Sequence, residues 1–431
     1  MKVKTMRDNP VIRWIVFALV TTLMFSTYWF QDFFSGLKPL MESSWGISSA
    51  DFGSIIQWTT LANCLGMIIV GGIILDKYGA KIAGLIFIGI ATLGALLVAA
   101  GASGFFYKEI DSNLWVIKIG RLLFGIGLEV TCVIATKVVA KWFLFAGLAF
   151  AMGLNTSFGR LGSAMSTAFS VDIAGGELST AANFAAMLIA ASFVCYIIYL
   201  IFFDGKLNKQ LIANREETDE KEDPFKFSDL GSILKSRAFW IISMLCVSFY
   251  AGVFPFMQYA PDMLINKFGF SHELGPKIAA LIPIASMIFM PIFGRIMDKK
   301  GKAATMVIVG SALLIIAHLS LSLMNGVFFA YFGLFALGMA FSIVPAALWP
   351  CVPKVIDGKK LGTAFAAVFT IQNWGLMAFF WGIGKVLDVA NAENLGAIHQ
   401  GKMMYNYTYP IFDARRLWNN SNIFCLSTQE G

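Results

Sequence analysis

Eleven apolar runs, each about as long as a bilayer is thick, are separated by short polar breaks: 12–34, 50–75, 80–103, 113–140, 144–171, 180–203, 238–265, 274–297, 303–324, 327–353 and 362–388. A hydrocarbon core of about 30 Å is crossed by a helix of about 20 residues, and in that medium a segment must close its own backbone hydrogen bonds. The runs therefore predict an all-α polytopic membrane protein. Composition agrees, with 58% hydrophobic and only 14% charged residues, where soluble domains carry roughly 25% charged. The first run follows Lys2, Lys4, Arg7 and Arg13. It lacks a small-residue cleavage site and outruns a signal h-region, so it reads as a retained first span.

The net charge of +7 does not announce a nucleic-acid partner, because the basic residues sit between the apolar runs rather than in a patch. With the N-terminus in the cytoplasm, the inner segments hold 22 Lys and Arg and the outer loops up to span 11 hold four, Lys38, Lys108, Lys267 and Lys277. The positive-inside bias fixes that orientation. Between the sixth and seventh runs the stretch 204–235 includes Arg215 to Asp223, a charged sequence that cannot cross a bilayer and has the composition of a solvated linker. The expected organisation is a six-helix half over 1–203, a cytoplasmic linker over 204–235, a second half with five recognisable spans over 236–388, and a tail over 389–431. A twelfth span is missing or altered: Arg415, Arg416, Asn419, Asn420 and Asn422 are costly in hydrocarbon. A truncated or frame-shifted twelfth helix and a genuine soluble tail both fit.

The six cysteines are scattered without metal-ligand spacing, and five lie in apolar runs, so neither disulfides nor a metal site is expected. Motifs of serine hydrolases, zinc peptidases and P-loop ATPases do not occur. The chain reads as no enzyme, needs no cofactor, and any work it does draws on gradients. A monomer in the lipid bilayer is the expectation.

The two halves repeat. Gly72, Asp76, Lys77 and Gly79 in GIILDKYGAK (72–81) return as Gly294, Asp298, Lys299 and Gly301 in GRIMDKKGK (294–302), after the second span of each half. This loop resembles the signature of the major facilitator superfamily, which joins the second and third helices of each half; the resemblance implies two pseudo-symmetric six-helix halves. Glycines there suit close helix approach, the aspartates suit a neighbouring helix N-terminus, and the lysines suit an anionic inner surface.

Ionisable residues within spans are costly and so are candidates for function. Glu129 falls mid-way along span 4 and Arg160 mid-way along span 5, and consecutive antiparallel helices pack about 8–10 Å apart. The two side chains can reach one cavity at one depth. There they offer an acceptor and a bidentate donor, complementary to a zwitterion; a structural Glu–Arg lock between helices fits the same residues. Gly125, Gly127, Gly159 and Gly162 suit a cavity or plain helix packing. Lys118 and Arg121 lie nearer the outer mouth and are expected to snorkel. Tyr28 and Asp32 mark the outer end of span 1, with Asp32 a vestibule, proton-carrying or headgroup-level residue. Further polar lining is expected from Gln57, Tyr250, Gln258, Trp349, Gln372 and Asn373, and Pro255 permits a bend in span 7.

Five stretches narrow the likeness: LFGIGLEV (123–130), GRLGS (159–163), SFYAGVFPF (248–256) with KFGFS (267–271), ALWPCVP (347–353), and LGTAF (361–365) with IQNWG (371–375). Together they resemble the lysosomal dipeptide transporter type of major facilitator domain-containing protein and its bacterial relatives. That resemblance implies dipeptide transport by alternating access, with Glu129 at the position that meets the peptide amine and Arg160 at the one that meets its carboxylate. The short N-terminal tail carries no acidic dileucine sorting signal, which points to the cell membrane rather than a lysosome. Facilitated transport of organic anions held by Arg160, and a non-transporting sensor on the same fold, are the alternatives. The classical proton-coupled peptide carriers fit less well, as span 1 has no E-x-x-E-R cluster.

Overall fold

A computed structural model of the chain describes residues 5–144, 147–213, 227–349, 352, 361–399 and 403–408. Among these the regular structure is helical throughout. Nine helices are long and apolar enough to cross a membrane, ten if a bent pair counts as one span. The remaining apolar run, 144–171, is also a helix, α6 below, in which Arg160 and a series of hydroxyl side chains dilute the hydrophobicity. The final residues that raise the question of a twelfth span lie outside the described residues.

Helix α1 (Pro10–Asp32) begins where the Asn9 side chain accepts hydrogen bonds from the amides of Val11 and Ile12, with proline in the first turn where its missing N–H costs nothing. A short α2 (Lys38–Trp45) follows, stopped by Gly46 in the left-handed conformation. The expected second span is two pieces: α3 (Ser49–Cys64) and the start of α4 (Met67–Ala102), bent by 53°. The sequence predicts a continuous helix here; Gly66 at φ 83° breaks it. Then come α5 (Ile110–Phe143), α6 (Leu148–Ala174), α7 (Leu178–Tyr199), α8 (Gly205–Ala213) and α9 (Phe227–Ile233). The second half holds α10 (Arg237–Phe268), α11 (Leu274–Ala279), α12 (Leu281–Lys300), α13 (Ala303–Leu323), α14 (Val327–Leu348), α15 (Leu361–Ala390) and α16 (Leu395–His399).

In the first bundle α1 packs on α5, α6 and α7, and α4 on α5 and α7; in the second α12 and α13 pack on α14, and α10 on α15. The bundles meet chiefly along α3 with α15 and along α6 with α11 and α12. Buried hydroxyls tie helices within a bundle, as Ser26 Oγ does to Ser192 Oγ at 2.8 Å, while Leu93, Trp115, Val194, Ile308 and Phe335 face outward. That inside-out distribution is what lipid as solvent requires.

The loop motifs act through backbone conformation. Gly79 (φ 73°, ψ 170°) turns the chain within the span of α4, and Gly301 (φ 62°) ends α12. Gly72 and Gly294, expected to allow close helix approach, have no atom within 4 Å of where a Cβ would stand. Lys77 and Lys299 are exposed, as a surface role demands. The Asp76 and Asp298 side chains lie outside the described residues.

Candidate functional site

A central cavity of about 230 Å³ lies between the bundles. The first half contributes Tyr28 and Gln31 from α1, Ile56, Thr59, Thr60 and Asn63 from α3, Arg121, Leu128 and Glu129 from α5, and Arg160 from α6. The second contributes Tyr250 and Phe254 from α10, Trp349 just past α14, and Phe369, Gln372, Asn373, Leu376 and Phe380 from α15. Where a helix supplies several lining residues, they fall at helical spacing. Ile56, Thr59, Thr60 and Asn63 form one stripe of α3, and Phe369 through Phe380 form one stripe of α15.

Several polar atoms here are buried without a hydrogen-bond partner: Arg160 Nη1, Arg121 Nε, Thr59 Oγ1 and Gln372 Oε1. Buried polar groups are ordinarily satisfied, so a cluster of orphans around one cavity marks a place where a polar ligand or water completes the set. The Arg160 guanidinium stands 4.3 Å over the Phe341 ring and 5.7 Å from the Tyr28 ring. Arg160 and Glu129 border the same space, and no ion pair joins them. The aromatic side of the cavity is held by stacking and one hydrogen bond: Trp349 Nε1 donates to Tyr250 Oη at 2.8 Å, and the Trp349 ring lies 4.8 Å from that of Phe369.

Of the remaining residues singled out from the sequence, three lie elsewhere. Asp32 is buried behind the cavity, where Ser163 Oγ donates to it and Gln258 Nε2 donates at 2.7 Å. Asp32 and Gln258 thus join the two halves to each other and do not line the vestibule. Gln57 is half-buried on α3 and is not part of the lining. Arg121, expected to snorkel outward, is fully buried: its Nη1 and Nη2 donate to the Phe30 and Gln31 carbonyls at 2.9 and 3.1 Å. Those carbonyls end α1, where the helix dipole is negative and a cation is welcome. Gly125, Gly127 and Gly162 are packing glycines: a Cβ on each would stand 1.9 to 2.2 Å from a carbonyl of the facing helix. A Cβ on Gly159 would stand 2.9 Å from the Tyr28 ring. The helical stripes of α3 and α15 were the available signal for Thr59, Thr60, Phe369 and Phe380, which a search for charged residues passes over.

The architecture and cavity define a class: a polytopic membrane transporter in which two helical bundles flank one solute-sized space. The sequence profile of the Major Facilitator Superfamily matches residues 17–380, and the chain belongs to that family. It is similar to the lysosomal dipeptide transporter MFSD1 of Danio rerio, 27% identical over 386 residues, which is 88% of this chain and 81% of that protein. The protein of the same name from Homo sapiens is 26% identical over 388 residues, 87% and 80% of the two chains. Among solved structures, a point mutant of the nucleoside transporter NupG superposes with a TM-score of 0.69 at 14% identity, over 93% of this chain and 99% of that one. That likeness speaks to the fold alone.

Proposed function

We propose that this transporter moves small zwitterionic solutes, dipeptides foremost, by alternating access. The carrying observation is Arg160, a guanidinium with a buried, unpartnered Nη1 beside a cavity that Glu129 also borders. Its planar fork fits a carboxylate, and Glu129 accepts from an ammonium. The volume lies below the roughly 300–1,000 Å³ of drug-sized pockets, which suits a solute of about two residues. The names of the relatives point the same way. Hydrogen bonds and ion pairs between the halves gather at the face that carries α2, as between Lys38 and Asp262 at 2.7 Å and Lys277 and Asp172 at 2.9 Å. The distribution of Lys and Arg supports placing that face outside, with a cytoplasmic N-terminus, in the cell membrane. In that orientation the conformation is closed outward.

A second reading rests on Arg121, a second guanidinium at the lining: two cations against one carboxylate favour an organic anion. Uptake of labelled solutes into proteoliposomes separates the two. Dipeptides are expected to be transported and their C-terminally amidated forms rejected. Arg160→Ala lowers uptake by about 30-fold or more, since removing one partner of a desolvated charge contact costs roughly 2–5 kcal/mol. Glu129→Gln discriminates against the free amine. Efficient uptake of carboxylates that lack an amine, with dipeptides ignored, overturns the dipeptide reading in favour of the anion one.

A further inference from the structure

Away from the cavity, at the α2 face, lies a second buried cluster of charge. Lys38 on α2 is fully buried; its Nζ lies 2.7 Å from Glu42 Oε1 on the same helix and 2.7 Å from Asp262 Oδ2 on α10. The segment after α15 returns over this cluster. Tyr405 Oη donates to Glu42 Oε1 at 3.0 Å, its ring lies 4.3 Å from Lys38 Nζ, and the Tyr407 hydroxyl donates to Asp262 Oδ2. Asn266 binds both sides, donating to Asp262 Oδ1 at 2.8 Å and accepting from the Tyr405 amide at 2.9 Å. Ser49 Oγ donates to Glu42 at 2.9 Å while the Ser49 and Ala50 amides donate to Asp388 on α15 at 3.0 and 2.8 Å. Tyr259 of α10 donates to the Ser49 carbonyl at 3.3 Å.

The charged and titratable groups facing one another here are thus Lys38 and Glu42 of α2, Asp262 and Tyr259 of α10, Asp388 of α15, and Tyr405 and Tyr407 of the returning segment. Two carboxylates, Glu42 and Asp262, meet one ammonium, while Asp388 is taken up by the first amides of α3. Lys38, Glu42 and Ser49 belong to the first half, and Asp262, Asp388, Tyr405 and Tyr407 to the second, so the cluster forms only when the halves close at this face. Closing it buries surplus negative charge, and desolvating an uncompensated carboxylate is expensive. One added proton removes that surplus.

We infer that Glu42, clasped between Lys38, Ser49 and Tyr405, is a proton-binding site whose occupation latches the α2 face shut, with the 403–408 segment as the strap over it. Burial moves the Glu42 carboxyl above the ordinary glutamate range; Lys38 works against that shift and Asp262 reinforces it. Burial also opposes the Lys38 ammonium, but Asp262 and Glu42 outweigh it and hold its pKa above the usual lysine value, so lysine stays charged. The sign follows. A carboxyl whose pKa is higher in the latched than in the separated, hydrated state binds more protons when latched, so acid at the α2 face favours closure and alkali favours opening. The proton comes from water at that face and returns to it on opening. The site therefore sets the balance of conformations without requiring a proton to cross the membrane.

Spin labels at Ser44→Cys and Glu393→Cys, both exposed on opposite halves of this face, read the latch by pulsed dipolar spectroscopy in nanodiscs, in a background freed of the native cysteines. One proton changes the closure equilibrium by at most about tenfold per pH unit. The expected result is a short distance in acid, giving way to a longer one as pH rises from 5 to 8.5. Glu42→Gln, a neutral mimic, stays short at both ends of that range. Tyr405→Phe removes a donor to the carboxylate and moves the midpoint to higher pH. Distances in the wild-type background that ignore pH overturn the inference, and so does a wild-type pH response surviving in Glu42→Gln. Should Glu42→Gln not fold, the wild-type titration and Tyr405→Phe still decide. No solute is present in the experiment, so a failure here leaves the dipeptide reading standing, and the reverse also holds.

Discussion

Arg160→Lys keeps the charge at the cavity and removes the geometry. A lysine ammonium is a point donor, whereas the guanidinium fork grips both oxygens of a carboxylate while its central carbon stands 4.3 Å from the centre of the Phe341 ring. Charged hydrogen bonds contribute roughly 1.5–3 kcal/mol, so binding of a dipeptide is expected to weaken about tenfold or more, as measured by calorimetric titration. Unchanged affinity means that only charge matters at this position. Arg160 and Glu129 stood out in the sequence because an ionisable group in an apolar run is costly and therefore conspicuous. Arg121, which the sequence sends outward to snorkel, is instead buried. Its position along the helix suggested a route to water, and nothing local to span 4 reveals that the end of α1 presents the Phe30 and Gln31 carbonyls to it. Lys38, counted as one outer-loop base among four, is likewise buried by partners distant in sequence.

At the scale of the helix, glycine has opposite effects in two places. Gly125→Ala would gain up to about 1 kcal/mol of helix propensity if space allowed, but its Cβ would stand 1.9 Å from the Thr59 carbonyl on α3. Backbone cannot step aside as a side chain can, so the α3–α5 contact must open. Overpacking of this kind costs roughly 1–3 kcal/mol, and a fall in melting temperature of the detergent-solubilised protein is expected. Gly72→Ala meets nothing within 4 Å; its melting temperature should hold or rise. If Gly72 serves close approach in another conformation, uptake falls in that variant while the melting temperature does not. The helices themselves were legible, because a run of apolar residues in lipid has one stable solution. The break at Gly66 was not, since glycine in an apolar run is compatible with an unbroken helix. Once the helix breaks, the Cys64 carbonyl accepts from Trp374 Nε1 of the other half at 2.9 Å. The cavity stripes on α3 and α15 were written in the spacing, but apolar members such as Phe369 and Phe380 are indistinguishable from core residues until the facing bundle is known.

For the molecule as a whole, the question is what holds the halves together at one face and lets them part. Two devices share Ser49. Its hydroxyl serves Glu42, and its amide, with that of Ala50, serves Asp388 of the other half at 3.0 and 2.8 Å. These amides are the first of α3, where the helix has unpaired N–H groups and a positive dipole end, so Asp388 caps across the interface a helix that its own Ser48 and Asp51 also cap. A second cap is available only while the face is closed. When the halves part, α3 keeps its own capping box and loses the other, so the contact biases conformation without being needed for folding. Replacing a capping side chain by alanine costs roughly 0.5–2 kcal/mol, a factor of about two to thirty in an equilibrium. Asp388→Ala should therefore raise the open fraction at the α2 face by about that factor, read with labels at Ser44→Cys and Glu393→Cys at acid pH where closure otherwise dominates. Because the Glu42 site is left intact, the variant should keep its pH response and shift only its midpoint, toward lower pH. A pH response that vanishes along with the cap would mean that Asp388, and not Glu42, carries the proton.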